Sequence, residues 1–329
     1  MNNLNISERK KFPKISIISP VFNRCQYLLR FLKSIQNQNF NDIEIILIDD
    51  FSSDNSVSLI KQYQLIDKRI LLIRNKKNYG TFRSRNFGIL KSKGEYIILP
   101  DPDDILLQNS LIMLYNYAIK YNYEMLRFNL YIGKGEIFFL NFVKSTPSRA
   151  IYQPELKTFL FYASGKLLQI DFNVTNKFIK REALIRALNL LAKEYLNIYM
   201  INFEDGLLNY ILYRIVKSFY FLKKICYYYI INPLSITTKQ LDKESLKAIF
   251  IYLKIVLEYS KNDIYEKNMF NSLLKNLVIS DIFMERIHLM KSDLKFYFEI
   301  IDMILRNEFV SINNKNFMIK LKDILIKIL

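Results

Sequence analysis

Four short apolar runs punctuate the first hundred residues. Ile15-Ser16-Ile17-Ile18-Ser19 stops at Pro20, Ile43–Ile48 ends at Asp49-Asp50, Ile70–Ile73 stands third, and Tyr96–Leu99 ends at Pro100-Asp101. Near-continuous apolar runs of this length suit strands covered on both faces, as in parallel sheets. Between them the period changes. Tyr27, Leu28, Phe31, Leu32 and Ile35 recur at helical spacing, as do Val57, Ile60 and Leu65, and Thr81–Lys91 carries a weaker stripe of Phe82, Phe87, Ile89 and Leu90. Ser53 or Asp54 suits the N-cap of the second helix. The order β-α-β-α-β-α-β predicts an α/β fold built on a doubly wound, mostly parallel sheet. From Thr238 onward the pattern turns long, apolar and helical, with Leu246, Ile249, Phe250, Leu253, Ile255 and Val256, then Phe270, Leu273, Leu274 and Leu277, and no breakers. A helical C-terminal region over 238–329 follows from it.

Composition narrows the function. The 329 residues are 51% hydrophobic and 24% charged, which supplies a core and excludes a disordered chain. Seven Gly and seven Pro argue against an all-β sandwich. Cys25, Cys226 and the single His288 are too few for a disulfide scaffold, a cysteine zinc cage or a His-dependent triad. The two cysteines read as buried thiols and His288 as a helix residue. Met1–Lys14 is polar and basic, without the apolar core of a signal peptide. No uncharged apolar run reaches the roughly 18–20 residues that span a bilayer. These features predict a soluble or peripheral protein of a reducing compartment. Lys and Arg exceed Asp and Glu by 48 − 31 = 17, which anticipates an acidic partner: nucleotide phosphate, nucleic acid or anionic lipid. Lys61–Lys93 alone holds ten basic residues against Asp67. Most of that stretch reads as an exposed face, with part of its field available to steer an anionic ligand.

In open α/β sheets ligands bind beyond the carboxyl ends of the strands, and there the unusual residues gather. Asn23 follows the first strand, Asp49 and Asp50 the second, and Asp101, Asp103 and Asp104 the fourth. Three carboxylates within four residues repel one another unless a cation or solvent relieves them. Pro100 cannot donate a ladder bond, so the fourth strand should end there. Asp104 reads as a cap for a helix beginning near Leu106. No Gly-x-Gly-x-x-Gly follows the first strand, which disfavours a dinucleotide oxidoreductase. No nucleic-acid module is recognisable.

Four segments, in order over about 90 residues, resemble family-2 glycosyltransferases of the GT-A fold: Ile18-Ser19-Pro20-Val21-Phe22-Asn23, Ile48-Asp49-Asp50-Phe51-Ser52-Ser53-Asp54, Asn78–Gly88, and Gly94-Glu95-Tyr96 with Asp101-Pro102-Asp103-Asp104. The resemblance implies a GT-A catalytic domain over 12–237, with a nucleotide-binding half at 12–110 and an acceptor half at 111–237. It implies that Pro20, Val21, Phe22 and Asn23 line the uracil site and that Asp50, or else Asp49, accepts the imide N–H. Arg85 would reach the nucleotide or its diphosphate. Asp103 would ligate Mn²⁺ or Mg²⁺, and Asp101 the ribose or the metal. Asn202-Phe203-Glu204-Asp205-Gly206 resembles the family's catalytic-base segment, with Asp205 as base and Glu204 supporting it. Thr175–Arg181 resembles a further segment, in which Lys177 would touch diphosphate or acceptor or else sit on the surface. Tyr227-Tyr228-Tyr229 with Pro233–Thr237 resembles the closing strand and loop. There Ile230, Ile231 and Asn232 replace the basic residues that related enzymes carry.

The implied activity is metal-dependent, inverting transfer of a hexose or N-acetylhexosamine, of galactose type, from a UDP-sugar. The implied acceptor is a hydroxyl of a bacterial surface glycan such as lipooligosaccharide or capsule, free or lipid-linked. The alternatives are a non-catalytic sugar-nucleotide binder and a nucleic-acid-binding protein; no nucleic acid is expected. The C-terminal stretch, basic at Lys320, Lys322 and Lys327, reads either as an amphipathic helix on an anionic membrane or as an appendage packed on the catalytic domain or a second subunit. The expected location is cytoplasmic, with peripheral attachment at the inner face of the cytoplasmic membrane.

Overall fold

The computed structural model describes residues 12–134, 137–141, 151–152, 173–232, 242–260, 293–308 and 310–328, with scattered residues between 266 and 290. The four predicted strands are β1 (Ile15–Val21), β2 (Ile43–Asp49), β3 (Ile70–Arg74) and β4 (Tyr96–Ile98). The helices between them are α1 (Cys25–Gln36), α2 (Ser56–Ile66) and α3 (Thr81–Lys91). There follow β5 (Ile105–Leu106), α4 (Ser110–Tyr121), β6 (Met125–Lys134), β7 (Ile137–Asn141), β8 (Ile151–Tyr152) and β9 (Lys177–Lys180). Then come α5 (Arg181–Leu190), α6 (Lys193–Leu196), α7 (Glu204–Ile215), β10 (Ser218–Ile230), α8 (Lys243–Tyr259), α9 (Leu294–Leu305) and α10 (Ile312–Ile328).

One sheet runs β3-β2-β1-β4-β9-β6-β10-β5, with β7 on β6 and β8 on β10. The first four strands are mutually parallel, β9 enters antiparallel between β4 and β6, and β10 lies parallel to β6. The fold is therefore the expected α/β, mostly parallel architecture with C-terminal helices. β4 ends at Ile98, ahead of Pro100 as expected, whereas β1 continues through Pro20 to Val21. The reason is local: β4 accompanies β1 only as far as Ile17. Beyond that point β1 has one neighbour, and a residue without an N–H is tolerated.

Helices cover both faces. Leu28, Phe31, Leu32 and Ile35 of α1, Ile60 and Tyr63 of α2, and Leu111, Leu114 and Ala118 of α4 fill one layer. The second layer takes Phe82 and Ile89 of α3, with α5, α7 and the C-terminal helices. Leu65, expected on the inner face of α2, is instead 73% exposed, and Tyr63 is buried in its place. In α3 the expected Phe87 and Leu90 face outward, while Ser84, Arg85 and Asn86 are buried.

The C-terminal helices join the second layer. Leu246, Ile249, Phe250, Leu253, Ile255 and Val256 of α8 are all buried, as are Tyr297, Ile300, Ile301 and Ile304 of α9 and Met318, Leu321 and Leu325 of α10. The apolar stripes thus turn toward the sheet layer. Among the described residues no helix is long and apolar enough to cross a membrane. Leu273, Leu277, His288, the Pro233–Thr237 loop and the 237/238 boundary lie outside the described residues. Cys226 is buried, and burial pushes its thiol up to about 12; Cys25 is half-buried, against expectation, because it opens α1 at the surface.

Gly94 precedes β4 where the chain crosses β1. A Cβ there would lie 2.5 Å from the backbone N of Ser16, which cannot swing aside. Gly94→Ala is expected to destabilise the fold by about 1–3 kcal/mol through overpacking. Urea denaturation tests this, and an unchanged midpoint would show that the turn shifts freely.

Candidate active site

The loops after β1 and β2 are stapled together before any ligand is considered. Asn23, in the left-handed region at φ 51°, accepts through Oδ1 from the Ser53 N–H at 2.9 Å and the Asp54 N–H at 3.3 Å, and its own N–H donates to Ser52 Oγ at 3.0 Å. Asp54 accepts from the Cys25 N–H and the Ser56 N–H, both at 2.9 Å, and so serves the first turns of α1 and α2 together. It stands one residue ahead of the N-cap position, Asn55. The expected cap therefore works on two helices. These bonds and Arg24 hold the Asp54 carboxyl below its usual range, against the upward pull of burial.

The paired aspartates after β2 separate in role. Asp49 is buried and turned to Arg74 Nε at 3.2 Å and the Ser52 N–H at 3.2 Å, outside the main cavity. Asp50 lines the cavity. Its carboxylate accepts from Asn75 Nδ2 at 2.7 Å, the Tyr79 N–H at 2.8 Å and the Gly80 N–H at 2.8 Å. The structure therefore removes Asp49 from the cavity-lining set, because Arg74 claims its charge. Gly80 has φ 85°, and a Cβ would press on the Met200 backbone at 3.0 Å. Only glycine lets the α3 entry approach that segment so closely.

Arg85 is the hub of the site. It is 2% exposed, with Nη1 2.5 Å from Asp205 Oδ1 and 3.7 Å from Glu204 Oε1, and Nη2 3.2 Å from Asp101 Oδ1. It is the only one of the ten basic residues of Lys61–Lys93 that lines the cavity, so most of that charge faces elsewhere. The guanidinium expected at the nucleotide or its diphosphate thus stands among the carboxylates of Asp101, Glu204 and Asp205.

Asp101 is also fixed through its N–H, which donates to Tyr227 Oη at 3.0 Å. The Tyr227 hydroxyl in turn donates to Asp104 at 2.8 Å, and the Ile230 N–H donates to the other Asp104 oxygen at 2.8 Å. Asp104 thus ties the acidic turn to β10 instead of capping a helix; α4 starts later, at Ser110. Asp103 faces the cavity with Arg24 Nε 3.4 Å from its carboxylate, and Asn232 Nδ2 at 3.5 Å. Across the cavity α7 begins after Phe203, which has φ 62°. Asp205 accepts from the Val174 N–H at 3.2 Å and is the more accessible of its pair, with 24% of its side chain exposed against 12% for Glu204. Lys177 is fully buried, bonded to the Asn173 carbonyl and to Asn176, so it is neither a surface charge nor part of the cavity lining.

Burial and mutual repulsion dominate the electrostatics. Desolvation first, then Asp205 and Asp103, raise the Asp101 carboxyl to about 7 against the opposing Arg85. Burial and Asp205 lift Glu204 well above the carboxylate range, and burial with Asp101 and Asp103 does the same for Asp104. A single cavity of about 700 Å³ collects Pro20, Val21, Phe22, Asn23, Asp50, Arg85, Asp101, Asp103, Glu204 and Asp205. Among the described residues six carboxylates line it (Asp50, Asp101, Asp103, Asp104, Glu204 and Asp205) against two arginines, Arg24 and Arg85. Among the described residues no three His, Cys, Asp or Glu side chains form a ready-made metal cage. The donor set still fits a hard cation. Mg²⁺ and Mn²⁺ take oxygen ligands and often bind through one or two carboxylates plus phosphate oxygens.

Sequence reasoning missed Arg24, although it directly follows the Asn23 turn and opens α1. It also missed Asn75 and the Tyr227 hydroxyl, whose partners lie far away in sequence and leave no local signal.

Residues 16–188, more than half of the chain, match the family model described as glycosyl transferase family 2. The chain is 43% identical over 108 residues to a Campylobacter jejuni GalNAc(5)-diNAcBac-PP-undecaprenol beta-1,3-glucosyltransferase, covering 32% of this chain and 35% of that protein. It is 37% identical over 117 residues to the Staphylococcus aureus poly(ribitol-phosphate) beta-N-acetylglucosaminyltransferase TarP, covering 34% and 35%. The chain spans between about a sixth and a half of the length of the curated relatives it matches. The crystal structure of S. aureus TarS 1-349 in complex with UDP superposes with a TM-score of 0.65 over 96% of this chain and 88% of that one, at 16% identity, which shows a common fold. With the matched region running from β1 into α5 and holding the acidic turns after β2 and β4, the chain belongs to glycosyl transferase family 2.

Proposed function

We propose that this chain transfers a hexose or N-acetylhexosamine from a UDP-sugar to a hydroxyl of a bacterial surface glycan, inverting the anomeric centre. One observation carries the reading: Asp50, Asp101, Asp103 and Asp205, drawn from three separate stretches of sequence, line one cavity. The relatives named as glucosyl- and N-acetylglucosaminyltransferases, and the UDP complex of TarS, support the donor class. They lend nothing to a galactose-type sugar in particular.

In this reading Pro20, Val21 and Phe22 flank the uracil. Asp50 accepts its imide N–H, as a carboxylate accepts strongly from a lone N–H. The Asn23 Oδ1 fastens the wall by accepting from the Ser53 and Asp54 N–H groups, and its amide Nδ2 is the donor left to the nucleotide. Asp101 meets the ribose, and Asp103 with Asp101 would hold a divalent cation. When bound, that cation supplies charge neutralisation to the departing diphosphate. The acceptor oxygen attacks the anomeric carbon, the carbon–oxygen bond to UDP breaks on the opposite face, and the acceptor proton passes to Asp205. Glu204, whose raised proton affinity favours its neutral form, supports Asp205 without competing for that proton.

UDP release from a panel of UDP-sugars, with and without Mn²⁺, tests the proposal. Asp103→Ala is expected to lower cation-dependent turnover by about 100-fold or more. Full wild-type activity in a chelator would remove the cation from the mechanism. Failure of the wild-type chain to bind UDP would remove the donor class.

A further inference from the structure

A second groove opens beside the active-site cavity, and the two meet at Tyr199, which lines both. Its volume of about 350 Å³ falls within the range of small-ligand pockets, about 300–1,000 Å³. One wall is a single face of α8: Glu244, Lys247, Ile251 and Lys254 recur at helical spacing. The other wall is the 195–199 stretch, with Tyr195, Ile198 and Tyr199, and Phe296 of α9 closes the end. The same helix also reaches the main cavity, where Ser245 Oγ accepts from Asn202 Nδ2 at 2.6 Å. The first turn of α8 therefore stands in both walls.

The chemistry of the groove suits a chain of sugar rings. Tyr199 is 43% exposed and offers its ring at the junction. Phe296 is half-buried, with Lys247 Nζ 5.1 Å from its ring centre, and Lys254 Nζ stands 5.8 Å from the Tyr195 ring. Aromatic faces take the apolar side of a pyranose, while ammonium and carboxylate groups take its hydroxyls. The lysines are tethered to Asp293 at 2.9 Å and Glu258 at 3.9 Å, and Glu244 shares the lining with them, so the groove carries both signs of charge and favours a polyhydroxylated ligand over a plain anion.

Resting on the glycosyltransferase reading above, we infer that this groove is an acceptor subsite: it holds the sugars of an oligosaccharide acceptor that lie beyond the unit receiving the donor sugar. The C-terminal helices then contribute directly to recognition of the acceptor.

The test uses the full chain on a microarray of mono-, di- and trisaccharides in the presence of UDP, with UDP binding measured separately by calorimetry. The wild-type chain should be retained on some of the tri- or disaccharides and at least about tenfold less on their terminal monosaccharides. Ile251→Trp, which fills the groove, and Lys254→Ala, at its rim, should each lower that retention by about tenfold or more while leaving UDP binding unchanged. Lys254→Ala keeps the test valid should Ile251→Trp fail to fold. Retention that the Lys254→Ala variant leaves intact, equal losses on mono- and trisaccharides, or no retention of a wild-type chain that binds UDP would each overturn the inference. Loss of UDP binding in the wild-type chain would instead overturn the glycosyltransferase reading on which it rests.

Discussion

Asp205→Asn is expected to lower kcat by about 10²–10⁴-fold, the range that a positioned general base contributes. The Kd for UDP should stay within about threefold, since the role assigned to Asp205 lies with the acceptor proton rather than the nucleotide. The amide keeps the shape of the side chain and its bond from the Val174 N–H, but it cannot accept the acceptor proton. Arg85 keeps Asp101 and Glu204 as partners in this variant, so the fold should survive. The assignment fails if turnover is unchanged. A parallel loss of UDP binding and turnover would show that Asp205 orders the donor instead. Glu204→Gln should have a smaller effect, because the group it replaces is already pushed toward its neutral form by burial and by Asp205.

Arg85→Met is expected to destabilise the chain by about 3–5 kcal/mol at neutral pH, the usual result of stripping one partner from a buried ion cluster. Methionine fills much of the same volume. It leaves Asp101, Glu204 and Asp205 facing one another without a counter-charge. The loss should shrink in acid. Asp101 is held at about 7 in the folded chain, against an ordinary carboxylate value of 3.8. A group with a raised folded value contributes its stability fully below the unfolded value and loses it as pH rises through the folded one. Without Arg85 the folded value rises further, so urea midpoints of variant and wild type should converge below about pH 5 and diverge above about pH 7. A pH-independent difference would mean that the effect is one of packing alone.

These two residues also show where sequence patterns fail. The strands of the first hundred residues were legible because the sheet buries both faces of β1, β2 and β4, and β3, at the edge, keeps the same apolar run while only partly buried. So was the inward stripe of α1, which is wholly apolar. The stripe of α3 misled, since its inner face carries Ser84, Arg85 and Asn86 and pushes Phe87 and Leu90 outward. A helix that delivers a charge into a site breaks the pattern by which helices are read. The acidic turns were visible as dense carboxylate clusters at strand ends. Their division of labour was not: Asp49 differs from Asp50 only through Arg74, and Asp104 from Asp103 only through Tyr227, contacts that span 25 and 123 positions. The C-terminal apolar stripes were read correctly as helical. What they pack against was hidden, because a membrane and a protein core demand the same spacing.

The burial of the apolar side of α8 against α7 and α9 bears on how this scaffold can be re-engineered. A graft that exchanges the tail for that of a homologue would cut through close-packed side chains and lay open the entrance that Ser245 helps to frame. Productive chimeras should carry the crossover upstream of α3, where the loops after β1 and β2 can be traded together, and should inherit everything after it from one parent.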